Sequence, residues 1–113
     1  MWWIIISPNI IKYFTPKKIA GITLFPFIIV EKKDLKYDKT FINHELIHIY
    51  QQMELFVILF VILYYIEFFI LLLKYKNVTQ AYRNISFERE AYENETNYNY
   101  LETRKWFSFI KYW

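Results

Sequence analysis

The stretch that decides the reading is "NHELIHIYQQ" (Asn43–Gln52), which runs directly into "MELFVILFVILYYIEFFILLL" (Met53–Leu73). The chain has two histidines, and both stand here, four residues apart around Glu45. On a helix, positions i and i+4 lie one turn apart on one face, so His44 and His48 can share an ion. From Leu55 to Leu73 the only charged residue is Glu67. That run is long enough for a hydrocarbon core, which takes about twenty apolar residues. One half of the stretch points to a metal and the other to lipid.

The composition favours lipid. In 113 residues, 56% are hydrophobic, 23% are aromatic, and glycine occurs once. A chain so poor in turn formers and so rich in large apolar side chains is expected to be mainly α-helical, a single domain over 1–113 with more apolar surface than water tolerates. Its net charge is +3. Lys74, Lys76 and Arg83 follow the long apolar run, and Arg104, Lys105 and Lys111 mix with Trp106, Phe107, Phe109, Tyr112 and Trp113. Such mixtures suit the headgroup layer, where rings anchor and lysine stems snorkel. Single-stranded nucleic acid uses similar residues. Here the neighbouring apolar segments need burial in any case, so the expected partner is a lipid bilayer and no nucleic acid. There is no cysteine, which excludes disulfides and thiolate metal sites. The opening "MWWIIISPNIIKYF" lacks a basic residue before its apolar stretch and reads as no secretory signal.

Along the chain, residues 1–18 are broken at Pro8 and Pro16 and read as an interfacial arm or short helix, with Lys12, Lys17 and Lys18 as its cations. "GITLFPFIIVEKK" (Gly21–Lys33) is rich in β-branched and aromatic residues after a glycine and reads as a strand or hairpin. Pro26 lacks an amide proton and confines that strand to a sheet edge. Asp38 or Thr40 can cap a helix beginning near Phe41. Nothing from there to about Tyr75 breaks it, so the histidine helix is expected to continue into the apolar one, with 55–73 as the membrane segment. After a polar interval, Ser86 can cap an acidic helix, "FEREAYENETNYNYLETRKW", that packs back through Phe87, Ala91, Asn94, Tyr98 and Leu101.

His44-Glu45-Leu46-Ile47-His48 fits the H-E-x-x-H pattern, in which the histidines bind zinc and the glutamate between them serves as general base. Glu45 is rotated by about 100° from His44, close enough to take a proton from water activated by Zn2+. The plainer alternative is a histidine pair satisfied by hydrogen bonds on an amphipathic helix. A catalytic zinc site has three protein ligands. With no further histidine or cysteine, the third must come from Asp34, Asp38, Glu54, Glu67, Glu88, Glu90, Glu93 or Glu95.

"HELIH" together with the downstream "FEREAY" resembles the gluzincin class of zinc metallopeptidases, most nearly membrane-associated branches whose second motif is E-x-x-A-D. "HELIHIYQQ" is also similar to small H-E-x-x-H-x-x-Q-Q proteins of unassigned activity. Aligned on Ala91, the gluzincin resemblance implies Glu88 as third ligand, and Tyr92 stands where that pattern has aspartate. Helical spacing alone slightly favours Glu90, which lies nearer the apolar face. The activity implied is hydrolysis of a peptide bond in a peptide or protein substrate. An exposed strand within Gly21–Val30 would hold that substrate extended. Tyr92, Arg83 and Arg89 are the candidate oxyanion donors. The rival expectation is a non-enzymatic membrane scaffold whose zinc, if any, is structural.

Membrane and metal compete for the same geometry. A straight helix from His48 to Tyr75 is about 40 Å long at 1.5 Å per residue. Residues 76–88 reach about 45 Å only when fully extended, and bare backbone is excluded from lipid. A bend near Tyr64-Tyr65, a monotopic or re-entrant placement, or a partner chain would relieve the conflict, whereas a straight single span would not. Glu67, deep in the apolar run, is expected to be protonated, snorkelling or paired, with a proton relay or metal ligation as the sharper roles.

Overall fold

The computed structural model describes residues 2–14 and 21–113. In chain order these form β1 (Trp3–Ile6), α1 (Pro8–Phe14), β2 (Gly21–Leu24), β3 (Phe27–Val30), a 3-10 turn (Lys33–Tyr37), α2 (Lys39–Glu54), α3 (Ile58–Tyr75), α4 (Val78–Asn84), α5 (Ser86–Asn94), α6 (Tyr100–Thr103) and a C-terminal 3-10 turn (Ser108–Tyr112). The fold is mainly helical with a small N-terminal sheet and one long apolar helix, as expected.

The sheet order is β1-β3-β2. Pro26 does not interrupt a strand. It sits with Phe25 in a cis turn that folds Gly21–Val30 into an antiparallel hairpin, pairing Gly21 with Val30 and Leu24 with Phe27. β3 is then central, because residues assigned to the interfacial arm form β1 and pair parallel to it, Trp3 with Phe27 through Ile6 with Val30. The β-branched run Ile4-Ile5-Ile6 explains the strand. Ser7 ends it, donating its amide to Val30, and its hydroxyl accepts from Ile10 while Pro8 takes the first position of α1. Residues 15–18 of the expected arm lie outside the described residues.

α2 begins two residues earlier than expected, with the Asp38 carboxylate accepting from Phe41 N at 3.1 Å. It lies across the sheet, packing Ile49 on Ile28 and Val30. Gly21 permits this approach: a Cβ there would stand 2.6 Å from the Phe41 ring and 2.7 Å from Ile29 O.

The expected unbroken helix is in fact two. Phe56 and Val57 take positive φ values of 56° and 57°, and α3 leaves α2 in a new direction. Non-glycine residues, β-branched ones above all, rarely adopt that backbone. Packing of Leu55 and Phe60 with Ile85, Phe87 and Phe109 holds it. The turn, not a bend at Tyr64-Tyr65, resolves the distance conflict. After Lys76 in the left-handed region, Asn77 caps α4, which folds back along α3 and delivers α5 beside α2. The polar interval is therefore helical.

The acidic helix is shorter than its pattern suggests and ends at Asn94. Asn43 Nδ2 lies 2.8–3.2 Å from the carbonyls of Asn94, Glu95 and Asn97 and draws the chain out of the helix. Asparagine and threonine side chains in 94–99 compete with helical bonding in the same region. Tyr98 is exposed and Leu101 half-buried, so only Phe87 and Ala91 of the expected face are core residues.

Candidate metal centre

His44 and His48 project from α2 toward α5, their rings 4.9 Å apart and nearly perpendicular. Glu88, in the first turn of α5, places Oε1 3.1 Å from both Nε2 atoms. One ligand atom from each of the three lies within 4.8 Å of the others, so the group could hold a metal ion. All three are buried, at 4–6% exposure.

The outer nitrogens decide what the inner ones can do. His48 Nδ1 stands 2.7 Å from Gln51 Oε1, and His44 Nδ1 stands 2.8 Å from Glu95 Oε1. The Gln51 amide nitrogen is committed elsewhere, donating to Phe87 O and to Glu90 Oε1, so its oxygen faces His48. Both outer partners are acceptors, hence both Nδ1 atoms donate. In neutral imidazoles the Nε2 lone pairs then point at a carboxylate oxygen, and three acceptors converge with no donor among them. Only positive charge, protons or a metal, can satisfy that arrangement. Outer partners of this kind are what fixes histidine tautomers in metal sites.

In the metal-free chain protons take this part. Burial disfavours charged imidazoles, but the Glu88 charge and hydrogen bonds outweigh it, raising His44 and lifting His48 to about 9. Burial likewise opposes ionised Glu88, yet the two imidazoles hold its carboxyl well below the usual range.

Glu45 is buried beside the pair, and its Oε2 accepts a hydrogen bond from the Thr23 hydroxyl on β2. Gln52, the next glutamine, grips the same strand: Nε2 donates to Thr23 O at 2.8 Å and Oε1 accepts from Phe25 N at 2.5 Å. Gln52 thus takes one backbone carbonyl of β2 and the amide of Phe25 in the turn that follows, both within the segment expected to hold an extended substrate. Around the centre, Tyr92 meets the His44 ring edge-on at 4.5 Å, and the Arg83 guanidinium lies over the Tyr92 ring at 3.8 Å. Tyr92 OH also reaches Tyr82 OH at 3.4 Å, and burial raises both phenols.

Among the expected third ligands, Glu88 alone meets the Nε2 atoms of both histidines. Glu90 is fully buried on the other side, taking Tyr100 at 2.6 Å, Arg104 at 2.5 Å and Gln51 at 2.9 Å. Glu54 pairs with the same arginine, Asp38 caps α2, and Glu95 serves as His44's outer partner. Glu67 caps α5, accepting from Ser86 N at 2.5 Å and Ser86 Oγ at 2.8 Å. Ser86 is thus capped rather than capping. Arg104 belongs to no headgroup belt, since its side chain is 2% exposed between Glu54 and Glu90. Arg89 donates to Tyr112 O at the surface, apart from the triad.

Sequence reasoning missed Asn43, Tyr64 and Tyr82 as residues around the site, and left Gln51 and Gln52 without roles. Gln51 had a usable signal, one turn beyond His48 on the same helix. Tyr64 had none, because its approach depends on the turn at Phe56-Val57.

Comparison with protein-family models, curated proteins and solved structures finds no match. α3 is long and apolar enough to cross a membrane, and only 6% of it is buried.

Proposed function

We propose that the chain is a small membrane-surface hydrolase that uses zinc to cleave peptide bonds, with His44, His48 and Glu88 as ligands and Glu45 as general base. The observation that carries the reading is the convergence of two Nε2 atoms and one carboxylate oxygen, with both Nδ1 atoms already committed as donors. The set has the nitrogen and oxygen donors that zinc accepts. When bound, zinc supplies Lewis acidity toward a carbonyl and acidifies its water. Glu45 takes the proton of the attacking water and delivers it to the leaving amine, and the Thr23 hydroxyl holds its rotamer. Tyr92, kept neutral by burial, stands beside His44 and donates to the Tyr82 hydroxyl, leaving the Tyr82 proton as the hydroxyl donor of the pair.

The chain sits in one leaflet rather than spanning. α3 turns Ile58, Leu59, Ile62, Ile66, Phe69 and Leu73 outward, an apolar stripe at helical spacing that suits the acyl boundary. Alongside it, α4 exposes Gln80 and Arg83. In a spanning orientation these polar groups would face hydrocarbon, at a cost of kilocalories each.

A second reading has an observation of its own. Glu45 and the three ligands are all at most 6% exposed, as suits zinc that merely ties α2 to α5. One experiment separates the two. The purified chain should bind about one zinc, and His48→Ala should abolish binding. Glu45→Gln should keep the metal and lose peptide hydrolysis. Bound zinc with no hydrolysis in the unaltered chain leaves the structural reading standing, and a folded chain that binds no zinc defeats both.

A further inference from the structure

The inward face of α3 reaches the metal centre at three successive turns. Phe60 packs on Phe87 at 4.5 Å between ring centroids and on His48 at 6.3 Å. Tyr64 donates its hydroxyl to Glu88 Oε2 at 2.7 Å. Glu67 accepts from the amide and hydroxyl of Ser86. These positions, spaced by four and three residues, form one helix face. The opposite face is the exposed apolar stripe.

The two polar contacts divide a single task. α5 has no side-chain cap of its own, since Ile85 stands at the N-cap. A carboxylate there meets unpaired amides and the positive end of the helix dipole. Glu67 supplies it from a different helix, two residues ahead of the ligand Glu88. Tyr64 then engages one carboxylate oxygen of Glu88, while the other faces both imidazoles. A carboxylate free to rotate can offer a cation both oxygens. One held by a phenol offers one.

We infer that Tyr64 and Glu67 are positioning residues of the metal centre: Glu67 fixes the first turn of α5, and Tyr64 retains Glu88 Oε2 so that Oε1 alone is presented to the ion. The inference rests on the metal-binding reading and is independent of catalysis. It gives Glu67 a role that is neither proton relay nor ligand, because both its oxygens are engaged by Ser86. It also makes the membrane helix part of the site: one face meets lipid and the other sets the third ligand.

The test is Co2+ titration of the full chain in detergent, read by affinity and by the visible spectrum of the bound ion, with melting of the metal-free chain as a measure of folding. Tyr64→Phe should weaken binding about tenfold, within the range found when outer partners of metal ligands are removed. It should also lower the visible absorption intensity, as expected when a second carboxylate oxygen raises the coordination number, while the metal-free Tm barely moves. Glu67→Ala should weaken binding by about 10–100-fold. Glu67→Gln should recover most of that loss, because an amide oxygen still accepts from Ser86 N. Tyr65→Phe, on the outward face, should match the unaltered chain. Should Glu67→Ala not fold, Tyr64→Phe decides alone, since it removes a single hydroxyl. Unaltered affinity and spectrum in Tyr64→Phe overturn the inference while leaving the metal site intact. An unaltered chain that binds no metal overturns both.

Discussion

Two consecutive helices of this chain distribute polarity in opposite ways. α2 buries Asn43, His44, Glu45, His48, Gln51 and Gln52, whereas α3, made almost wholly of apolar residues, fully buries only Phe60. In water both choices are costly: polar groups need partners inside, and an apolar helix needs cover outside. Each is met by something different. α2 finds its partners within the chain, and the buried side-chain polar atoms of the described residues all have hydrogen bonds. α3 finds cover on one side only. The contrast explains how so small a chain can enclose a polar centre while leaving one helix face apolar and exposed.

The most severe way to break this arrangement is to remove the cation that serves the buried acids near α2. Arg104 donates to Glu54 at 2.8 and 3.1 Å and to Glu90 at 2.5 and 3.2 Å, and Glu90 has no exposure. Burial disfavours charge on Glu90 and on Arg104, but the hydrogen bonds between them, with those from Tyr100 and Gln51 to Glu90, lower Glu90 and raise Arg104. Arg104→Ala strands two carboxylates and should destabilise the fold by about 3–5 kcal/mol. Denaturant unfolding in mild detergent measures it. A loss below about 1 kcal/mol would mean that the polar interior of α2 is less tightly coupled than the bonding implies.

A smaller effect comes from exchanging protons for metal at the triad. His48 has a folded pKa of about 9 against an ordinary value of 6.5, so its ion pair stabilises the metal-free fold fully below 6.5. That contribution fades as pH rises through the folded value. Glu88, whose pKa is depressed, acts in the other direction, and its contribution is lost only in acid. Zinc needs the bare nitrogens, so its binding releases protons and strengthens with pH. Melting curves from pH 6 to 8.5 should show the metal-free Tm falling and the zinc-induced increase growing. At a hundredfold excess over Kd the stabilisation is about 2.7 kcal/mol. A zinc effect that shrinks as pH rises would remove the triad from consideration.

What could be read in advance divides along the same line. His44, His48 and the length of the apolar run are local patterns, visible because spacing on one helix sets geometry. Glu88 was accessible through its neighbour Ala91, although helical periodicity taken alone leaned toward Glu90. The structure separates them by charge rather than by hydropathy: Arg104, fourteen residues later, claims Glu90. That pairing is not local and leaves no periodic trace. The same holds for Phe56 and Val57, whose left-handed backbone is imposed by packing and contradicts their own preferences. β1 was missed because a run of isoleucines beside prolines becomes a strand only when β3 is there to pair with it.

The outward face of α3 gives the smallest and most selective change. Ile66 is 53% exposed in the middle of the stripe, so Ile66→Ser removes few contacts within the protein. Surface substitutions of this kind alter folding stability by about 0.5 kcal/mol or less. Against a bilayer the same residue is buried, and losing an isoleucine's transfer energy, about 1.5–3 kcal/mol, should lower vesicle partitioning by tenfold or more. Flotation with phosphatidylcholine vesicles, beside Tm and zinc affinity in detergent, reads the separation directly. If partitioning is unchanged, the stripe does not contact acyl chains. If zinc affinity falls in parallel, the two faces of α3 are not independent, and the division of labour between α2 and α3 gives way to a single coupled unit.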